Sequence, residues 1–380
     1  MTCRNYPRPH RFARRQAGRG ESAAGRYSRT VRQTIMVDVD TGIDDALALL
    51  YLLADPQLEI AGIASTGGNV PTAQVAANNL ALLDLCRAPA IEVALGAAQP
   101  LAIPLQTTED THGPHGIGYA ELPPSPRPLS DRSAAQLWVD TVRAHPGAVL
   151  GLCTGPLTNL ALALELEPQL PHLLRRLVIM GGAFRHPGNT TPTNEWNVHV
   201  DPEAAKVVFD AFSSTPQDRR PIVCALDITE SIEMFPEHLR RIAERAHCAG
   251  AAMPAPGDPP GLRSEATNPI VRFLIDAVRF YFEFHQHYDQ GYLAHMHDPF
   301  AAAVALEPTL AVLRPATVDV ELAGTLTRGS TVADWAGMWG RAPNADIAVG
   351  TDPAAFFDRM IARIGDFAAT LYPPVAQEVR

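Results

Sequence analysis

From residue 34 onward the chain alternates short apolar runs with stretches of helical period, and this limits the fold more than any other feature. TIMVDVD (34–40), LEIAGIAS (58–65), IEVALG (91–96), AVLGLCTG (148–155), RRLVIMGG (175–182) and PIVCALDI (221–228) read as strands. Between them DDALALLYLLA (44–54), TAQVAANNLALLDLC (72–86), AAQLWVDTVRAH (134–145), PLTNLALALEL (156–166) and PEAAKVVFDAF (202–212) read as helices. Strands apolar throughout, rather than at every second position, are strands buried on both faces. Alternation with helices then predicts an α/β, Rossmann-like, mostly parallel sheet flanked by helices. After Asp227 the alternation weakens. PEHLRRIAERA (236–246) is a helix, and the Pro- and Gly-rich segment 250–269 reads as a mobile loop. A long amphipathic helix follows (269–288), then DPFAAAVALEP (298–308), a hairpin pairing TVDVELAG (317–324) with STVADWAG (330–337), and a closing helix (353–364). The expectation is a helical and loop-rich C-terminal portion over the active site.

In open α/β sheets ligands bind beyond the carboxyl ends of the strands. Polar residues collect there: Asp38 and Asp40 after the first run, Thr66 to Asn69 after the second, Thr154 and Gly155, and Met180 to Gly182. DVDTGIDDALALL (38–50) is the densest of these, with four aspartates in eight positions. Asp40, Asp44 and Asp45 admit three readings: solvated residues of a helix start, carboxylates sharing a proton, or ligands of a hard divalent cation, which takes carboxylates, carbonyls and waters. His297-Asp298-Pro299 adds a second acid before a helix, with Pro suited to the first helical position and Asp298 to the N-cap.

Charge separates the first 33 residues from the rest. They hold nine Arg against the single acid Glu21, an excess of eight positive charges, so with a net charge of -10 the remainder carries -18. An acidic body argues against nucleic acid as a partner. Residues 1–33 are read as a basic, disordered extension without the apolar core of a secretory signal, and 34–380 as one catalytic domain. Five cysteines without a CxxC pair, three of them (Cys86, Cys153, Cys224) in apolar surroundings, read as core residues. No uncharged apolar run is long enough to span a bilayer, so no membrane partner is expected and the location is read as cytoplasmic.

The motifs DTGIDDALAL, STGGN, THG, TGPLTN, VIMGG, NEWN followed by DPEAA, and HDPFAAA occur in that order, with ELAGTLTRGSTV late in the chain. Together they resemble the inosine–uridine-preferring nucleoside hydrolase family from about residue 34 to near the C-terminus. The commonest family form of the first motif has Pro where Thr41 stands. The resemblance implies one bound Ca²⁺ and hydrolysis of the N-glycosidic bond of ribonucleosides to ribose and free base. Asp40, Asp45, Asp298 and the Thr154 carbonyl match the calcium ligands, with Asp40 also the general base. Asp44 and Asn69 match ribose-hydroxyl contacts, and Asp298 lies among the substrate contacts too. Asn189, Glu195 and Asn197 match the 5′ and 3′ side of the sugar, with Met180 beneath it. His112 matches a base-side position, and His297 the group that assists the leaving base. A histidine titrating near neutral pH suits that role. Tyr281, Tyr288 and Tyr292 are candidates to stack on the base. The family also implies a homodimer or homotetramer.

Two rivals differ in class. Asp38-Val39-Asp40-Thr41 imitates the DxDx start of a haloacid-dehalogenase-like phosphatase, but such chemistry needs a cation on the phosphoryl group, and the only lysine, Lys206, lies in a helical pattern away from any strand end. A non-catalytic nucleoside- or ribose-binding protein on the same scaffold has no use for a water-activating carboxylate.

Overall fold

The structure, a computed structural model, describes residues 32–248 and 250–374. The basic segment read as an extension lies, but for Arg32 and Gln33, outside the described residues. The strands are β1 (Gln33–Val39), β2 (Leu58–Ser65), β3 (Val93–Leu95), β4 (Val149–Cys153), β5 (Arg176–Met180), β6 (Ile222–Cys224), β7 (Glu233–Met234), β8 (Ala294–His295), β9 (Ala311–Val320), β10 (Thr331–Asp334) and β11 (Ala345–Thr351). Nine form one sheet in the order β10-β9-β11-β6-β5-β4-β1-β2-β3; β7 and β8 pair separately. From β3 across to β11 neighbouring strands pair in parallel, and β9 and β10 complete the sheet antiparallel.

The sheet is covered on both faces, as continuous apolar strands require. Ile35, Val37 and Val39 of β1 join a core with the helices Ile43–Leu53, Pro269–His287, His297–Leu306 and Pro353–Leu371, while Met36 faces a second core with Ala134–Ala144, Thr158–Leu166 and Pro202–Ala211. The two-residue period of a strand divides its side chains this way. Helices Ile43–Leu53 and His297–Leu306 pack on each other under the sheet and are buried almost all round, which is why neither sequence is amphipathic.

The strand order fixes where a ligand goes. From β1 the chain runs outward through β2 to β3, then crosses back to β4 on the other side of β1. The order reverses between β1 and β4, and at such a switch point the outgoing loops part to leave a crevice. Asp40 follows β1 and Thr154 follows β4, on the two lips of it.

Two features depart from the sequence reading. The 317–337 hairpin forms as β9 and β10, but it is stitched to the main sheet by β11, a strand the pattern analysis did not single out. The Pro- and Gly-rich loop is held rather than loose. Arg279, buried on the long helix, donates to Asp258 at 2.8 Å, Asp276 accepts from the Ser264 amide at 2.6 Å, and Glu283 from the Gly261 amide at 3.3 Å.

Candidate active site

Helix Ile43–Leu53 starts three residues after Asp40, so Asp44 and Asp45 fall in its first turn. Asp45 caps that turn by accepting the Gly42 amide (2.8 Å), and also accepts the Thr154 hydroxyl (2.6 Å) and the Asn69 side-chain amide (3.2 Å). Asp40 Oδ2 accepts the Asn69 backbone amide at 2.9 Å. Helix His297–Leu306 delivers Asp298 to the same point; it lies one residue inside the helix, with Met296 rather than Asp298 at the cap position. Oxygens of Asp44, Asp45 and Asp298 lie within 4.8 Å of one another. The N-termini of two helices thus meet at a group of carboxylates, and both dipoles favour negative charge there.

Those dipoles do not neutralise four buried acids. Burial first, and mutual repulsion second, push Asp40, Asp44 and Asp298 upward, Asp44 to about 8; burial also raises Asp45, against the hydrogen bonds it accepts. Among the described residues lining the adjoining cavity, none is Lys or Arg. Asp40 Oδ1 and Asp44 Oδ1 are buried without a hydrogen-bond partner. Buried anions persist when paired or bound to a metal, and two orphaned oxygens in an all-oxygen donor set fit a hard divalent cation.

Asp38, the least explained residue of the first motif, is a support. Its carboxylate is buried under β1 and accepts Trp138 Nε1 (2.8 Å), Asn159 Nδ2 (3.0 Å) and the Thr66 hydroxyl. These come from the helix Ala134–Ala144, the helix Thr158–Leu166 and the end of β2, so Asp38 ties three elements to the strand that presents Asp40.

A cavity of about 800 Å³ opens above the carboxylates. Asp44, Asn69, Thr154, Met180, Asn189, Glu195, Asn197 and Asp298 line one side of it. Glu195 is the N-cap of the short helix Trp196–Val200, accepting the amides of Asn197 (2.8 Å), Val198 (3.1 Å) and Gly182 (2.9 Å). Asn197 donates to the Thr154 carbonyl at 2.7 Å and approaches Met180 Sδ at 3.4 Å. Asn189 accepts the Trp196 amide at 2.9 Å, fixing the turn before that helix.

Rings complete the wall: His112, Tyr281, His285, His295 and His297. His112 accepts the Ile43 amide on Nδ1 at 3.1 Å, so its proton sits on Nε2, and burial pushes its pKa down to about 3. His297 Nδ1 lies 2.8 Å from the Thr229 hydroxyl. Burial, reinforced by neighbouring imidazoles, holds His297 well below its usual range. This corrects the expectation of a near-neutral titration: burial favours the neutral imidazole, which can donate one N–H. Tyr281 and Tyr288 line the cavity, whereas Tyr292 packs on Phe282 away from it.

All twelve site residues read from the sequence therefore gather at one switch point, ten of them on the cavity wall and Asp40 and Asp45 beneath it. Sequence reasoning missed Thr229, Glu230, His285 and His295, which carry no motif of their own. It gave no role to Gly68, where a Cβ would stand 2.1 Å from Asp40 Oδ2, or to Gly42, where one would stand 2.5 Å from Asn69 Nδ2. Lys206 pairs with Asp210 (2.7 Å) and Asp319 (3.1 Å), outside the cavity, so the phosphatase reading has no lysine to use.

Fold and site together define a hydrolase that acts on N-glycosyl bonds, and the known proteins this chain is similar to agree. A purine-preferring ribonucleoside hydrolase from Gardnerella vaginalis superposes with a TM-score of 0.78 at 29% identity, covering 89% of this chain and 100% of that one. An inosine-guanosine nucleoside hydrolase does so with a TM-score of 0.74 at 27% identity, covering 88% and 99%. The pyrimidine-specific ribonucleoside hydrolase RihA of Salmonella paratyphi B is 35% identical over 337 residues, 88% of this chain and 99% of that protein. The chain belongs to the inosine-uridine preferring nucleoside hydrolase family, whose pattern it matches over residues 35–358.

Proposed function

We propose that this ribonucleoside hydrolase is calcium-dependent and that Asp40 is its general base. The observation that carries the reading is the pair of unpartnered oxygens, Asp40 Oδ1 and Asp44 Oδ1, in a buried carboxylate group below a cavity of about 800 Å³. Asp40, Asp45, Asp298 and the Thr154 carbonyl would hold the cation, which when bound supplies Lewis acidity and an anchor for water. Asp40 takes a proton from the attacking water. Asp44, Asn69, Asn189, Glu195 and Asn197 accept and donate to the ribose hydroxyls, with Met180 beneath the ring. The concentrated negative charge favours the oxocarbenium-like sugar as the bond to the base breaks. His297, kept neutral, donates its N–H to the departing base, and His112 flanks it. A neutral imidazole acting as donor is an established catalytic pattern.

Relatives named for pyrimidines and for purines are both similar to this chain, so the test spans both classes. Free base released from inosine, adenosine, guanosine, uridine and cytidine is measured with chelator and with added calcium. Release is expected from at least one nucleoside, lost with chelator and restored by calcium. Asp40→Asn is expected to lower kcat by about 10²- to 10⁴-fold; near-normal turnover by that variant would sink the mechanism. The catalytic unit is taken as residues 34–380, acting in the cytoplasm as a homodimer or homotetramer; sedimentation measures the assembly.

A further inference from the structure

The late motif ELAGTLTRGSTV (321–332) contributes nothing to the cavity wall, yet it grips the segment that carries Glu195 and Asn197. It spans the turn from β9 to β10. Glu321 folds that turn by accepting the amides of Ala323 (2.7 Å) and Gly324 (3.0 Å), and Arg328 donates to the Leu322 carbonyl (2.7 Å) and to Glu203 (2.6 Å). One grip is Thr331, whose hydroxyl accepts the Ala183 amide and donates to the Ala183 carbonyl, each at 2.9 Å. The other is on Asn194, which is 2% exposed and directly precedes Glu195. Asn194 Nδ2 donates to the Arg328 carbonyl at 2.6 Å and lies 3.0 Å from His199 Nδ1. Its Oδ1 accepts the Ser330 and Thr193 hydroxyls, each at 2.9 Å. Both polar atoms of the side chain are thus engaged between the hairpin and the helix Trp196–Val200. The approach is close: a Cβ on Gly329 would stand 2.8 Å from Asn194 Nδ2. The Asn194 backbone amide donates to the Thr191 hydroxyl (3.0 Å) and its carbonyl accepts the Thr190 amide (3.3 Å), which closes the loop that carries Asn189.

We infer that Asn194 is a positioning residue: it bolts the wall of Asn189, Glu195 and Asn197 to the hairpin and so sets where those side chains stand against the sugar. The inference rests on the ribose contacts proposed above. Burial cannot hold this wall by itself, because Arg185, His186, Pro187, Asn189, Thr190 and Pro192 are exposed. Hydrogen bonds to a buried side chain must do it, and they are costly to break because each partner is left unsatisfied. Groups that orient a substrate lose their effect when displaced by about 1 Å. Asn194 touches no part of the cavity itself, so it acts only through its neighbours.

The test is a substrate–variant cycle. kcat/KM is measured for the ribonucleoside turned over fastest, and for its 5′-deoxy and 3′-deoxy analogues, with wild type, Asn194→Ala and Ser330→Ala. Removing a hydroxyl that this wall contacts is expected to cost the wild type about 10-fold or more. Asn194→Ala is expected to lower kcat/KM on the parent by about 10-fold or more. Its cost falls to within about 3-fold on the analogue that the wild type handles worse, because variant and analogue then remove the same contact. A residue that serves stability alone would lower all three substrates equally. Should Asn194→Ala fail to fold, as judged by circular dichroism, Ser330→Ala carries the test, with a loss of about 3-fold confined to the parent. Equal losses on parent and analogues in the folded variant, or no loss, overturn the role of Asn194 and leave the hydrolase reading intact. A wild type indifferent to both deoxy analogues overturns the sugar contacts of this wall, and the role of Asn194 with them. Absence of turnover of every nucleoside by the calcium-loaded wild type overturns the nucleoside reading itself.

Discussion

The hydroxyl of Thr229 lies 2.8 Å from Nδ1 of His297, and both side chains are buried. Donor and acceptor in this contact follow the ring's tautomer, and donation from Nε2 to a departing base, as proposed, requires the hydroxyl to donate to Nδ1. Thr229→Val keeps the shape and removes the donor. The expected result is a kcat about 10-fold lower on nucleosides, whose bases need a hydrogen bond to leave. Turnover of 4-nitrophenyl riboside, whose leaving group needs no such help, stays close to wild type. Equal losses on both substrates would contradict the assignment.

Gly68 is fixed by the site and not by its turn. A Cβ there would lie 2.1 Å from Asp40 Oδ2 and 2.9 Å from Pro156 Cδ. Gly68→Ala must push Asp40 aside. Activity is expected to fall about 10²-fold, since displacement of the proposed general base by about 1 Å costs that much. The stability loss measured by urea unfolding is about 1–3 kcal/mol, as for other overpacked sites.

Cation binding is expected to reverse the pH dependence of stability set by the carboxylates. Asp44 holds its proton to about 8 in the fold, whereas the unfolded chain releases it near 3.8. Across that window the folded state binds more protons, so stability of the chelated protein falls as pH rises. On the calcium-dependent reading, the cation takes the place of those protons. The melting temperature gained on adding calcium therefore grows from pH 5 to pH 8, and at about 100 times Kd the stabilisation is about 2.7 kcal/mol. Asp45→Asn should abolish most of it.

The histidines act with the opposite sign. His112 and His295 are held down to about 3 and about 4, while an unfolded histidine takes its proton near 6.5. Between those values the unfolded state binds more protons, so stability is lost as pH falls from 6.5 toward 4. With calcium saturating, melting temperatures should drop over that window. His295→Gln should flatten the decline; an unchanged profile would mean that His295 is not held neutral.

The parallel sheet was legible because burial on both faces leaves a strand apolar throughout, as in Ile35 to Val39. The site was legible where polar residues follow a strand: Asp40, Asn69 and Thr154 announce themselves by interrupting apolar runs. The strand β11 was not, because Ala345–Thr351 alternates weakly and is recruited by pairing with β6 and β9. Asp38 could be read only as a support of the site or a strand-end residue until Trp138 and Asn159, 100 and 121 residues away, proved to hold it.

The sequence by itself determined the layered α/β architecture and the set of carboxylates and amides available at the strand ends, since these follow from hydrophobic period and local punctuation. Only the tertiary structure decided which acids are buried together, what each imidazole contacts, and that Glu230 lines the cavity. Those properties depend on burial and on partners far away in the chain, such as Thr229 for His297 and Ile43 for His112. Desolvation and hydrogen bonding act through space, and no local pattern of residues encodes them.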